Sequence, residues 1–165
     1  MDKIIMDKYL LTVVIPTYNR AETLRTTLSF VIPQVLAHKD EVHIYISDNA
    51  STDNTKEVVK EIMSENPDVI TYFCQEKNLT ASPNFNDAVH RVNSEYVYLL
   101  SDDDIIVPEC ISFMLKCIKE NVDIDYFYVN RYVASEEMDD VMLWHQNFGL
   151  SYLKIYETGG EMLQE

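Results

Sequence analysis

Apolar and polar positions repeat with two different periods along most of this chain. Residues 10–16 form a run of apolar and β-branched residues that reads as a strand. Asn19 and Glu22 then have the spacing of a capping box, so a helix is expected to open there with Leu24, Leu28, Val31 and Val35 on one face. Pro33 is expected to kink or shorten it. Residues 42–47 read as a second strand. The turn Asp48-Asn49-Ala50-Ser51-Thr52-Asp53 holds good N-cap residues and leads to a helix with Val58, Val59, Ile62 and Met63 inward. Residues 69–74 make a third strand, 83–92 a third helix and 96–100 a fourth strand. Pro108 opens a fourth helix with Ile111, Met114, Leu115 and Ile118 on one face, and residues 124–133 read as a fifth strand.

Five strands alternating with four helices predict an α/β domain with a mainly parallel sheet covered on both faces. Ligands of such sheets bind outside the carboxyl ends of the strands. The polar clusters at 17–22, 48–53 and 101–104 each follow a strand directly, so they are expected to share one rim. From Ser135 onward the pattern weakens into an acidic loop with Glu136, Glu137, Asp139 and Asp140, and residues 144–165 predict no element.

Composition narrows the function classes. A chain of 165 residues with 47% hydrophobic content has the material for one ordinary core. Its formal charge of −15, without a Lys/Arg-rich stretch, excludes nucleic acid as the expected partner, while a single diphosphate bridged by a metal remains compatible. Cys74, Cys110 and Cys117 are odd in number and lack CxxC spacing, and the first residues carry no signal-peptide core, so a cytoplasmic, reducing location is expected. Cys110 and Cys117 read as small core residues of one helix. No apolar run approaches the ~18 residues of a membrane span, which leaves peripheral membrane association open. Gly numbers only 3, with no Gly-rich phosphate loop, which argues against P-loop enzymes, Rossmann dehydrogenases and sugar nucleotidyltransferases. A phosphatase with a strand-end Asp nucleophile would need that Asp after the first strand, where Thr17 and Tyr18 stand.

The triplet Asp102-Asp103-Asp104 carries the most chemistry. At ~5 Å separation and an effective dielectric of ~20, each ionised pair repels by roughly 3 kcal/mol. A divalent cation offsets this, and carboxylate oxygens are hard ligands suited to Mg²⁺, Mn²⁺ or Ca²⁺. The competing reading is a solvated turn in which Asp104 caps the following helix. Three polar clusters on one rim favour the cation.

Val13-Val14-Ile15-Pro16-Thr17-Tyr18-Asn19-Arg20 with Glu22, the segment 48–53, and the triplet with Pro108 behind it together resemble the family 2 inverting glycosyltransferases of GT-A fold, over about residues 10–134. The Asn-Arg-Ala start and Ser-Asp-Asp-Asp ending are similar to the abequosyltransferase-like branch of surface-polysaccharide enzymes. The resemblance implies a three-layer α/β/α fold. It also implies transfer of a sugar from a nucleotide diphosphate donor to a saccharide or lipid-linked acceptor, assisted by Mn²⁺ or Mg²⁺. Pro16, Thr17, Tyr18, Asn19 and Glu22 would line the base and ribose, with Tyr18 stacking on or bordering the base.

Asp48 and Asn49 fall where the family usually has Asp-Asp, and an amide at the second position can pair with several bases, so UDP-, CDP- and dTDP-linked donors stay open. For Ser51, Thr52 and Asp53 helix capping is expected. Anchored on Pro108, the family's first Asp falls on Ser101 and its second on Asp103, making Asp103 the leading metal ligand. Asp102 then serves ribose or metal, and Asp104 coordinates through water or caps the helix. Asn78 and Asn84 match two positions of the family's Asn-x-Gly and Arg-Asn segment, whose Gly and Arg are here Thr80 and Pro83. The general base is expected after the fifth strand; Glu136, Glu137, Asp139 and His145 are candidates and none is assigned. By this resemblance residues 1–134 are the nucleotide-sugar-binding core and 135–165 the start of an acceptor-side region. The alternative is a non-catalytic sugar-nucleotide-binding or interaction module of the same fold.

Overall fold

The computed structural model describes residues 9–123, 125–127, 129, 133–134 and 141–142. Strands β1 (Leu11–Thr17), β2 (Val42–Asp48), β3 (Ile70–Cys74) and β4 (Tyr96–Leu99) alternate with helices α1 (Ala21–Leu36), α2 (Thr55–Glu65), α3 (Ala81–Arg91) and α4 (Cys110–Glu120). The strands form one parallel sheet in the order β3-β2-β1-β4, with Leu11 level with both Val42 and Tyr96. Every residue of β1 and β2 is buried, as expected of strands covered on both faces. Val14 and Tyr45 lie side by side on one face and meet Ala88 and Val92 of the α3 layer. Val13, Ile15, Ile44 and Ile46 alternate to the opposite face. α1 packs against α2 and α4 while α3 packs on β1 and β2, so the chain has the three-layer α/β architecture expected of it.

These elements lie in one compact unit, Met1–Val122. A second unit, Asp123–Glu165, contains Val133–Ala134 (β5) paired antiparallel with Val141–Met142 (β6). The strand expected over 124–133 is not found among its described residues: 125–127 and 129 carry no strand, and only Val133 does.

Three local expectations are corrected. α1 runs through Pro33 to Leu36 instead of stopping there. Pro33 and Ser29, whose carbonyl loses its partner, are both exposed, so that carbonyl faces solvent instead of the core. α4 begins at Cys110, two residues past Pro108, and Glu109 at its N-cap makes no side-chain capping hydrogen bond. Cys110 and Cys117 are half-buried at the flank of α4, beside the buried Ile111, Leu115 and Ile118, and burial pushes both thiols up.

The strand-to-helix connections share an unusual backbone feature. Asn19, Ala50, Thr80 and Glu109, one in each of the four connections, have φ of 53°, 63°, 69° and 64°. None is glycine, because the chain's 3 glycines stand at 149, 159 and 160. Thr80 is the most constrained: at φ 69° and ψ 170° it holds a β-branched side chain in a region that glycine alone enters easily.

Under the sheet, the face bearing Val14 also buries three polar atoms without a hydrogen-bond partner, Thr12 Oγ1, His43 Nδ1 and Tyr45 Oη. His43 stacks on Tyr9 with centroids 4.7 Å apart, and its Nε2 lies 2.9 Å from Thr71 Oγ1. Burial lowers its pKa from 6.5 to about 4, so the ring is neutral in the fold at pH 7.

Two predictions follow from strain and burial. Thr80→Gly should stabilise the fold by about 1 kcal/mol in urea unfolding, because strain relief exceeds the entropy glycine adds, while Thr80→Ala should gain nothing. The His43 ring takes up its proton later in the folded than in the unfolded chain. Its contribution is therefore complete above pH 6.5 and is lost as pH falls towards 4. Between pH 7 and pH 4 the wild type should lose about 3 kcal/mol more stability than His43→Phe; parallel losses would show that His43 is not the group responsible.

Candidate functional site

The register of the sheet brings the ends of β1, β2 and β4 together, and the polar clusters after them do share one rim. β1 is central, with Thr17 level with Asp48 on one side and the β4 turn on the other. Thr17 Oγ1 donates to Asp102 Oδ2 at 2.7 Å, and Thr27 Oγ1 of α1 donates to the Asp102 carbonyl at 2.9 Å. Asp102 is thereby fixed at both side chain and backbone, with only 5% of its surface exposed. Asp103 stands further out, where Ser101 Oγ donates to its Oδ1 at 2.6 Å. Arg20 Nη1 donates to both carboxylates, at 3.0 Å to Asp102 Oδ1 and 2.6 Å to Asp103 Oδ2.

The two carboxyls share a cation yet shift in opposite directions. Burial pushes Asp102 up against the pull of Thr17 and Arg20. The Ser101 hydroxyl and then the Arg20 guanidinium outweigh burial and hold Asp103 below the usual carboxylate range. Asp104 is exposed, and its backbone N–H closes a turn on the Ser101 carbonyl at 3.2 Å.

The turn after β1 is built differently from its expected capping box. Asn19 Oδ1 accepts from the Thr52 backbone N–H at 2.7 Å, and the Asn19 N–H donates to Ser51 Oγ at 2.9 Å. In exchange Asp53 Oδ2 accepts from the Ala21 N–H at 3.2 Å, while its Oδ1 accepts from the Thr55 N–H at 3.0 Å. Asp53 thus caps the first N–H of both α1 and α2, while Asn19 fastens the loop ahead of α2. Asn19 has φ 53°, which turns its side chain away from α1, and Glu22 is left exposed at 4.0 Å from Arg25. Glu22 therefore does not join the carboxylates of the β4 turn. Pro16 is buried within β1 opposite Ser47, and Tyr18 is exposed on the rim.

Asp48 is fully buried: its Oδ1 accepts from the Ser51 N–H at 2.8 Å and its Oδ2 from Tyr72 Oη at 2.5 Å. Asn49 spends its amide on the loop before α3. Its Nδ2 donates to Asn78 Oδ1 at 3.1 Å and the Thr80 carbonyl at 3.2 Å, and its Oδ1 accepts from the Leu79 N–H at 2.8 Å. Asn84 is also structural, accepting from Ser47 Oγ at 3.1 Å and donating to the Ser47 carbonyl at 3.2 Å beneath the same loop.

Arg20 and Thr27 are the members that pattern reading missed. Thr27 had a signal, being a polar residue beside the stripe of Leu24, Leu28, Val31 and Val35. Arg20 had a weaker one, as a cation three residues after Thr17 in an acidic chain. Glu136, Glu137, Asp139 and His145 lie outside the described residues. A cavity of about 410 Å³ lined by Tyr9, Leu36, Lys39, Glu65 and Pro67 opens where α1 and α2 finish, at the far end of the sheet. It contains none of these groups.

Among the described residues no three His, Cys, Asp or Glu side chains cluster as a complete metal cage. Two carboxylate oxygens nevertheless converge on one positive nitrogen, and a Mg²⁺-type ion needs only one or two protein carboxylates beside water and phosphate. Asp102 and Asp103 fit such an ion.

Known proteins share the sequence pattern and the fold of this chain. An uncharacterised glycosyltransferase of Methanocaldococcus jannaschii is 30% identical over 132 residues, 79% of this chain and 44% of that protein. The abequosyltransferase of Salmonella typhimurium is 31% identical over 115 residues, 70% of this chain and 34% of that protein. This chain thus spans less than half the length of these relatives. The mannosyltransferase of Pyrobaculum calidifontis, solved with GDP-Man and Mn²⁺, shares the fold with a TM-score of 0.62 at 23% identity, over 75% of this chain and 36% of that one. The family model for glycosyl transferase family 2 matches residues 12–162, from the start of β1 almost to the last residue, and the chain belongs to that family.

Proposed function

We propose that this chain carries the donor-binding site of an inverting glycosyltransferase that takes a sugar from a nucleotide diphosphate and transfers it to a saccharide or lipid-linked acceptor in surface-polysaccharide synthesis. The observation that carries the reading is the meeting of Asp102 Oδ1 and Asp103 Oδ2 at one cation, outside the carboxyl end of the sheet. The GDP-Man and Mn²⁺ in the Pyrobaculum calidifontis neighbour lend it support. No helix among the described residues is long and apolar enough to cross a membrane.

Asp102 and Asp103 would hold Mn²⁺ or Mg²⁺. When bound, the ion supplies Lewis-acid stabilisation of the charge that builds on the departing nucleoside diphosphate. The chain's own residues prepare that position. Thr17 and Thr27 hold Asp102 against rotation, and Ser101 orients Asp103 through its other oxygen. Tyr18, exposed beside them, is the aromatic surface on which a base would stack. Asn49 acts on the donor indirectly, by holding loop 78–80 against the rim, and the choice among UDP-, CDP- and dTDP-linked donors does not rest on its amide. The acceptor hydroxyl needs a general base, and Glu136, Glu137, Asp139 and His145 remain the candidates.

Calorimetry with nucleoside diphosphates and Mn²⁺ tests the assignment. Asp103→Asn should lose about tenfold or more in metal-dependent affinity, the scale of one charged contact, whereas Asp104→Asn should lose much less. Equal losses at the two positions, or undiminished binding in Asp103→Asn, would show the metal position to be wrong.

A further inference from the structure

Each carboxylate of the β4 turn uses its two oxygens differently. Asp102 Oδ2 is taken by the Thr17 hydroxyl and Asp103 Oδ1 by the Ser101 hydroxyl. The remaining pair, Asp102 Oδ1 and Asp103 Oδ2, are the oxygens free of these neutral donors, and both bind Arg20 Nη1. A divalent ion held by the two carboxylates would need those same atoms. Arg20 sits at the N-cap position of α1 with 48% of its side chain exposed, so its guanidinium has solvent on one side.

We propose that Arg20 is an internal counter-ion that competes with the divalent cation for Asp102 and Asp103, and that metal loading hands its guanidinium to the donor diphosphate. The inference rests on the donor-binding reading above. Charge and geometry support the exchange. Before loading, one guanidinium faces two carboxylates that would otherwise repel each other. A divalent ion neutralises both carboxylates and leaves one positive charge unpaired at the rim. A diphosphate is the ligand that brings the matching negative charge, and its oxygens suit the planar fork of a guanidinium.

Partner exchange makes the two ligands interdependent. Metal alone must break two charge-assisted hydrogen bonds and leave Arg20 to water. Metal arriving with a nucleoside diphosphate replaces those bonds with new ones. Binding of each therefore favours binding of the other, and the coupling is reciprocal. Arg20 is on this view a positioning residue for the acidic turn in one state and a ligand contact in the other.

The test compares wild type, Arg20→Gln and Arg20→Lys. Mn²⁺ alone is titrated by the electron paramagnetic resonance of the free ion, and UDP, CDP, dTDP and GDP are titrated by calorimetry with and without Mn²⁺. Arg20→Gln should bind Mn²⁺ alone about tenfold tighter than wild type, and nucleoside diphosphate with Mn²⁺ about tenfold weaker, the scale of one charged hydrogen bond each way. Arg20→Lys, keeping the charge, should fall between the two. Without metal, Arg20→Gln should melt below wild type, and Mn²⁺ should raise its melting temperature more than the wild type's. A loss of folding unrelated to the carboxylates would not be repaired by Mn²⁺. Mn²⁺ affinity in Arg20→Gln no tighter than wild type, with nucleotide binding retained, would overturn the competition. Tighter Mn²⁺ with unchanged nucleotide affinity would overturn the transfer to diphosphate. A wild type that binds none of the nucleotides with Mn²⁺ would instead overturn the donor-binding reading, and the inference with it.

Discussion

A carboxylate buried at the end of a central strand has to be compensated, and at Asp102 that compensation organises the rim. With 5% of its surface exposed, Asp102 incurs a desolvation cost that its partners must offset. They come from two directions, Thr17 at the end of β1 and Arg20 in the turn behind it, while Thr27 of α1 holds the Asp102 backbone carbonyl. One residue, through its side chain and its backbone carbonyl, thus ties β1, the β4 turn and α1 together. Asp103 needs no such burial, so it can sit outside and share the same guanidinium. The contrast between one fixed, buried carboxyl and one more accessible carboxyl is what would suit the pair to the divalent cation proposed for it.

The loops around this pair are held by side chains rather than by glycine. Asn19 and Asp53 exchange hydrogen bonds between the loops after β1 and β2, and Asn49 with Asn78 ties the loop before α3 to the end of β2. Left-handed backbone at Asn19, Ala50 and Thr80 directs these groups, at the strain cost of placing a side chain where glycine would fit. The buried contacts of Ser47, Asn84, Gln75 and Asp87 beneath them continue the same network onto α3.

Much of the fold was legible because the two fully buried strands and the four amphipathic helices each have a single dominant period. β1 to β4 and α1 to α4 appear close to their expected limits, and their parallel order follows from alternation. What eluded pattern reading was contact between loops far apart in the chain. The Asn19-to-Glu22 spacing suggested a local cap, whereas Asn19 bonds to Thr52 across 33 positions. Asn49 was expected to face a base edge, yet both its amide atoms serve loop 78–80, a choice that tertiary register decides. Thr80 shows a third kind of gap, since a β-branched residue gives no local hint of φ 69°. Residues 124–133 look like a strand by composition alone, yet among the described residues 125–127 and 129 carry none and only Val133 does.

A rim that gathers two carboxylates around one cation should bind nucleoside diphosphate only when a divalent ion completes the set. The most direct test is calorimetric titration of the 165-residue chain with UDP, CDP, dTDP and GDP, with Mn²⁺ and again after chelation. Binding of at least one nucleotide with Mn²⁺, lost by tenfold or more on chelation, is the expected result, about the weight of one charged contact. Equal affinity with and without metal, or no binding in either condition, would contradict a metal-assisted donor site at Asp102 and Asp103.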